Sequence, residues 1–339
     1  MNIRVLAPGL LTTVQDGGRP GHAASGVGRA GAMDPVALRI ANLLVGNAED
    51  AAALEITLRG PRLRFDDDAL VAITGAEIDA VCGEQPLPAW RPVLVRAGSD
   101  IAFGGMPRGA RACLAIAGGI TLPLVLGSRS TDVNAGIGPF PRPLAANDAL
   151  PCAPAPRNLC GGLWRVLDAP GRKTRRPKIA ATSWSVDPEN WFDYASERPI
   201  RAIAGTHFEM LDVDSRRRLF GADFRIGIDS NRVGCRLEGP ALALRTKLEL
   251  ISTGVANGTV QLPPAGTPIV LAAEGPTTGG YPRVAHVIAV DHGHLAQRRP
   301  GDVVRFAQTD LEDAQMRYIE RERALARLAM YVRERLRHS

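Results

Sequence analysis

The feature that most limits the folds open to this chain is its rhythm of short apolar runs cut by turn residues. Residues 54–58 (LEITL), 62–65 (RLRF), 70–74 (LVAIT) and 112–117 (ACLAIA) show it in the first half. Residues 236–240 (RLEGP), 248–251 (LELI), 259–262 (TVQL), 269–272 (IVLA), 284–290 and 303–306 repeat it in the second. Runs this brief, bounded by Gly, Pro and Asp, are too short to bury a helical face and read as strands. The chain is therefore expected to be mainly β. Its 339 residues exceed one ordinary hydrophobic core, so two domains of roughly 150 residues are expected.

Departures from this rhythm mark the boundaries. Near the start, Asp34 reads as an N-cap and Pro35 as the first helical residue. Leu38, Ala41, Leu44 and Val45 form an apolar face, and Gly46 and Asn47 end the run. Residues 151–198 are rich in proline and carry a basic run at 172–178 together with Trp164, Trp184 and Trp191, without a steady period; they read as a partly ordered linker. From Thr309 the pattern turns helical. Thr309 and Glu312 suggest a capping box, and Leu311, Tyr318, Leu325, Leu328, Val332 and Leu336 trace one stripe. The expected layout is a first domain at 1–150, a linker at 151–198, a second domain at 199–308 and a terminal helix at 309–339. Leu54 and Glu55 beside Gly60 and Pro61 recur as Leu237 and Glu238 beside Gly239 and Pro240, a hint of duplication.

Composition removes several classes of function. The formal charge of +6 is modest, and the basic run lacks interleaved aromatics, which argues against nucleic-acid binding. Cys82, Cys113, Cys152, Cys160 and Cys235 are odd in number and include no Cys-x-x-Cys pair. They suggest neither a disulfide framework nor a zinc site. No signal-peptide core opens the sequence, and no apolar run approaches the ~20 residues of a membrane span, so a cytoplasmic protein is expected.

Three constellations suit chemistry. In residues 8–21 (PGLLTTVQDGGRPG), Gln15, Asp16 and Arg19 bring an amide, a carboxylate and a guanidinium into one loop. The trio suits proton handling and anion binding; its bland alternative is an Asp–Arg pair bracing the loop. In residues 230–236 (SNRVGCR), Asn231, Arg232 and Arg236 suit an anion, and the two arginines would share a face of a strand entry. In residues 274–282 (EGPTTGGYP), Thr277, Thr278, Gly279 and Gly280 allow close backbone approach to an oxyanion, with Tyr281 as donor and Gln261 alongside; a tight turn is the plain reading. Residues 26–31 match Gly-x-Gly-x-x-Gly, but no strand precedes them and Asp34 occupies the helix start where a pyrophosphate would sit. Asp291, His292 and His294 lack a third ligand at a recognised interval, so no metal is expected. His22 and His207 have no partner visible in the sequence.

Residues 8–21, 31–47, 53–61, 114–120, 127–132, 230–240, 261–271 and 277–287, in that order, resemble the biotin-dependent carboxyltransferase family. That family includes allophanate hydrolase subunit 2, KipA and the C subunit of 5-oxoprolinase, and residues 14–19 (VQDGGR) and 230–232 (SNR) look most like the last branch. The resemblance implies two cyclophilin-like β-barrel domains with a few short helices. It also implies a subunit of an ATP-dependent 5-oxoprolinase, a lactam hydrolase active on a small amide with KipI-like and LamB/YcsF-like partner subunits. ATP would act at the level of the complex. Two alternatives stay open: a carboxyltransferase subunit of a urea carboxylase/allophanate hydrolase-type enzyme, which would need biotin, and a KipA-like regulator without catalysis. The chain lacks the Ala-Met-Lys-Met segment of a biotin carrier. Where relatives usually carry Tyr, this chain has Cys235, read as a buried small residue.

Overall fold

The computed structural model describes residues 1–169, 177–191, 198–246 and 248–338. The chain is mainly β and divides into two units. The first comprises Met1–Gly18, Asp34–Phe192 and Ala324–Ser339; the second comprises Arg19–Met33 and Asp193–Arg323.

The first unit is built on two six-stranded sheets. One runs, in spatial order, Ala149–Pro151, Asn2–Ala7, Arg62–Phe65, Asp100–Phe103, Ala80–Cys82 and Gln85–Pro86. The other runs Ile179–Ala181, Val93–Val95, Ala69–Gly75, Arg111–Ile116, Ala53–Thr57 and Leu11–Gln15. Strand Arg62–Phe65 buries alternate residues, as a strand with one solvated face should. Strand Ala69–Gly75 is buried throughout, because helix α1 (Pro35–Leu44) covers its outer face. The expected cap of α1 is present: Asp34 accepts from the Ala37 amide at 3.0 Å, with Pro35 at the first helical position. Thr74 ties strand to helix by donating to the Ala37 carbonyl at 2.6 Å.

The segment read as a linker contains helix α2 (Arg157–Asp168). Two adjacent glycines and a proline-rich flank hide it from a propensity reading, but Gly162 is required by packing. A Cβ there would lie 2.4 Å from the Arg337 carbonyl oxygen. Trp164 is buried under the Arg157 guanidinium, 4.0 Å from the ring centre. Of the basic run, residues 172–176 lie outside the described residues.

The second unit carries an eight-stranded sheet ordered Val303–Val304, Phe224–Ile226, Gly234–Glu238, Ile269–Leu271, Thr259–Gln261, Arg283–Val287, Ile200–Ala204 and Phe306–Thr309. The two edge strands, Val303–Val304 and Phe306–Thr309, are separated in sequence only by Arg305. The sheet therefore curls until its edges nearly meet, a nearly closed barrel. Its interior holds Phe224, Leu237, Val260, Val270, Val284, Val287 and Phe306. Helix α3 (Val213–Gly221) is capped by Asp212, which accepts from the Ser215 amide at 2.6 Å, and the short α4 (His292–Ala296) follows the strand Arg283–Val287.

Three sequence expectations need correction here. Residues 248–251 form no strand; Ile251 is 88% exposed, and an apolar run without a pairing neighbour does not become a strand. The recurring Leu-Glu pair does not mark equivalent positions, since Glu55 is buried and Glu238 exposed. Helix α5 (Leu311–His338) is capped by Asp310, which accepts from the Asp313 amide at 2.8 Å, while Thr309 donates to the Asp313 carboxylate at 2.6 Å. The apolar stripe of α5 is buried at Leu325, Ala329, Val332 and Leu336, whereas Leu311 and Tyr318 face solvent. No described helix is long and apolar enough to cross a membrane.

Candidate functional site

In the first unit, strand Leu11–Gln15 delivers Gln15 and Asp16 to a buried position against the polar turn at 127–132. The Asp16 carboxylate accepts four hydrogen bonds. Ser128 Oγ and Ser130 Oγ donate at 2.6 Å each, the Gly18 amide at 2.8 Å and the Arg129 amide at 2.5 Å. The Asp16 amide in turn donates to Ser130 Oγ at 2.9 Å. A carboxylate so engaged is the keystone of two loops, and two of its partners are serines more than a hundred residues away. Gln15 Nε2 donates to Thr13 Oγ1 at 3.0 Å and to the Thr131 carbonyl at 2.9 Å. Its Oε1 is buried without a hydrogen-bond donor among the described residues.

Arg19 belongs to the second unit and is buried there, with its amide donating to the Arg29 carbonyl at 2.7 Å. Arg232 is likewise buried and its fork is already engaged. Nε donates to Glu274 Oε1 at 2.5 Å and Nη2 to the Gly31 carbonyl at 2.7 Å. Arg232 thus fastens the Arg19–Met33 segment within its unit. Arg236, in strand Gly234–Glu238, is exposed. The two arginines therefore do not share a face, because Arg232 precedes the strand and does not follow its alternation. Asn231 braces the intervening turn by accepting from the Val233 amide at 2.8 Å. Cys235 is buried in the strand, as a small core residue would be.

The segment 274–282 does form a turn-and-strand element. Thr278–Gly279 pairs with Thr253–Gly254 in a two-stranded ribbon outside the eight-stranded sheet, and the Val255 amide donates to the Thr277 carbonyl at 3.0 Å. Gly279 is needed for close approach. A Cβ there would lie 2.2 Å from Gln261 Nε2, so the glycine leaves room for that amide. Gly280 lies against the Leu250 carbonyl and Ser252 Oγ, at 3.3 and 3.4 Å from the position of a Cβ. Tyr281 is 45% exposed.

Two further features escape a reading by local motifs. The strands Leu11–Gln15 and Thr259–Gln261 both end in Thr-Val-Gln, and each glutamine buries an amide atom that finds no partner among the described residues: Oε1 of Gln15 and Nε2 of Gln261. The repeated tripeptide was the available signal. Arg283 gave none, being one more arginine after a Tyr-Pro pair. It faces Gln261 across neighbouring strands and donates through Nη1 to the Gly254 carbonyl at 3.0 Å.

Asp291, His292 and His294 have separate tasks. Asp291 accepts from the Arg201 amide, Nε and Nη2 at 2.7, 2.9 and 2.5 Å. His292 Nε2 lies 3.2 Å from the Val287 carbonyl, and burial pushes its pKa down to about 4. His294 lies 2.9 Å from Arg298 Nη2, and burial, then Arg298, lower its pKa. His207, without a visible partner in the sequence, accepts from the Arg283 amide at 3.0 Å; burial and then Arg283 lower its pKa.

A family profile described as carboxyltransferase domain, subdomain A and B, matches residues 25–308. The chain is 38% identical to the C subunit of 5-oxoprolinase from Escherichia coli over 326 residues, which is 94% of this chain and 96% of that protein. It is 34% identical to the corresponding 5-oxoprolinase C subunit of Haemophilus influenzae over 303 residues, 89% of each. Among solved structures, the Kluyveromyces lactis urea carboxylase superposes with a TM-score of 0.83 at 25% identity; the match covers 96% of this chain and 29% of that one.

Proposed function

The chain belongs to the carboxyltransferase domain family, subdomain A and B, and from that premise we propose that it is one subunit of an ATP-dependent 5-oxoprolinase. The observation that carries this reading is the end-to-end correspondence with two proteins named as the C subunit of 5-oxoprolinase, 96% and 89% of whose lengths are matched. The reaction opens 5-oxo-L-proline to L-glutamate. Water adds its oxygen to the lactam carbonyl carbon, the C–N bond breaks, and the nitrogen leaves with a proton.

In this proposal Gln261, Thr277 and Thr278 border the substrate, and Gly279, Gly280 and Tyr281 lie where negative charge develops on the lactam oxygen. Arg19 and Arg236 supply positive charge. Asp16 and Arg232 act by holding loops: Asp16 through the serines of the 127–132 turn, Arg232 through Glu274 and Gly31. Residues 26–31 do not fit a nucleotide. A 3₁₀ turn at Ala23–Ser25 precedes them instead of a strand, and the Asp34 carboxylate occupies the start of α1. The reading keeps ATP at the level of the complex, with KipI-like and LamB/YcsF-like partner subunits.

The test is reconstitution. Combined with both partners and ATP, the chain should release glutamate from 5-oxoproline, and omission of any one protein should abolish release; glutamate formed at an undiminished rate without this chain would refute the proposal. The match to urea carboxylase favours a second reading, carboxyl transfer from carboxybiotin to a urea-like amide. Carboxylation appearing only with a biotinylated partner would select it.

A further inference from the structure

The second unit contains two buried hydrogen-bond donor atoms that find no acceptor among the described residues and belong to facing residues of adjacent strands. Gln261 Nε2, on a residue 5% exposed, and Arg283 Nε are both buried without a partner among the described residues. They belong to facing residues of adjacent strands, Thr259–Gln261 and Arg283–Val287, so their side chains rise from one face of the sheet. Both then reach the same small ribbon. The Gln261 amide abuts Gly279 of strand Thr278–Gly279, and Arg283 Nη1 donates to Gly254 of the paired strand Thr253–Gly254.

Leaving such groups unpaired is costly. A buried donor without an acceptor loses its hydration with nothing in return, the more so when charged, and native interiors tolerate few of them. Two unsatisfied donors on facing residues, one neutral amide and one guanidinium, match the two oxygens of a carboxylate. Among the described residues of this unit the buried acids are already engaged elsewhere, Glu274 by Arg232 and Asp291 by Arg201. The ribbon above the two donors is thin, two residues per strand with Thr253, Gly254 and Thr278 exposed, and it lies outside the main sheet.

We propose that Gln261 and Arg283 form a carboxylate-binding subsite beneath the ribbon Thr253–Gly254/Thr278–Gly279, which lifts to admit the ligand and closes on it. Resting on the 5-oxoprolinase reading, the subsite takes the carboxylate of the lactam acid and leaves its ring amide toward Gly280 and Tyr281. Gly279 is then a requirement of the subsite, since any side chain there would occupy the space of the Gln261 amide.

Calorimetric titration of the full chain with 5-oxo-L-proline and with pyrrolidin-2-one, the same ring without the carboxylate, tests this. The acid should bind and the neutral lactam should bind at least tenfold more weakly. Gln261→Met and Arg283→Gln should each weaken the acid at least tenfold and leave the neutral lactam unchanged. Because the Gln261 donor is already unpaired, Gln261→Met should melt no lower than the parent, which a purely structural glutamine would not allow. Amide exchange at residues 253–255 and 277–280 should slow when the acid is bound. Equal affinity for acid and neutral lactam, absence of carboxylate binding, or unchanged affinity in both variants would overturn the subsite. If the reconstituted complex hydrolyses 5-oxoproline and both variants keep its KM, the subsite fails while the proposed function stands. If glutarate binds with the same dependence on Gln261 and Arg283 but no 5-oxoproline is hydrolysed, the function fails while the subsite stands.

Discussion

Arg232 can be made to report whether it grips the protein or the substrate. Its side chain is 4% exposed and that of its partner Glu274 1%, so Arg232→Ala would take the guanidinium away from a buried carboxylate and its donor away from the Gly31 carbonyl. Breaking a buried pair from one side costs about 3–5 kcal/mol, whereas an exposed pair would cost at most about 1. For a unit of roughly 150 residues, each kcal/mol lowers the melting temperature by about 2–4 °C, so the fall should be roughly 6–20 °C. Circular dichroism melts of the full chain measure it. The double variant Arg232→Met with Glu274→Leu should recover most of the loss, because apolar replacement of both members of a buried pair is often neutral or better. The lost bond to Gly31 should still loosen the Arg19–Met33 segment, read as faster tryptic cleavage after the exposed Arg29. A variant Arg232→Ala that melts within about 2 °C of the parent, less than the shift of a single kcal/mol, but binds substrate poorly would refute the argument and restore an anion-binding role.

Further outcomes follow from individual packing and protonation states. Gly162→Ala places a Cβ 2.4 Å from a backbone carbonyl of α5 that no side-chain rotation can relieve, and should cost about 1–3 kcal/mol, with faster amide exchange along Arg157–Asp168. His292 has its pKa depressed to about 4 by burial, so below its ordinary value the unfolded chain binds the extra proton. Stability is therefore complete above about pH 6.5 and declines as the pH falls toward 4, by about 3 kcal/mol at 1.36 kcal/mol per unit. His292→Gln should flatten that decline in urea titrations, and an unchanged slope would show the wrong residue was named. The Cys152 thiol, pushed up to about 12 by burial, should resist iodoacetamide at about pH 8 in the folded chain and react once the chain is unfolded. Ser128→Ala with Ser130→Ala removes two bonds to the Asp16 carboxylate. It should cost about 3–6 kcal/mol at 1.5–3 per charged hydrogen bond, and a loss below about 1 kcal/mol would deny Asp16 its bracing role.

What could be read from the sequence was what the chain settles within one turn or one strand. The cap of α1 needs only Asp34, Pro35 and Ala37, three neighbours whose geometry is local, and it was visible. The cap of α5 was displaced by one residue because Thr309 and Asp310 are both good acceptors, and the choice falls on the one whose carboxylate reaches Asp313. Helix α2 was hidden because its support is tertiary: Gly162 weakens the helix locally and permits the contact with α5 that compensates. Alternation also misled where it was carried past the end of a strand, which is how Arg232 was placed on the face of Arg236 although one is buried and the other exposed.

The candidate site divides along the same line. Asp16 announced itself as a polar residue in a glycine-rich loop, but its role is decided by Ser128 and Ser130, more than a hundred residues later. Gln261 and Arg283 violate the rule that buried donors are satisfied, and such violations concentrate where a protein meets its ligand. A glutamine whose buried Nε2 has no acceptor among the described residues loses stability that a methionine would return, so its presence beneath the ribbon is better explained by something it binds than by something it supports. That inference makes the melting temperature of Gln261→Met as informative as any assay of turnover. A rise or no change, together with lost binding, is the mark of a residue retained for function, and a large fall would place Gln261 among the supports of the barrel.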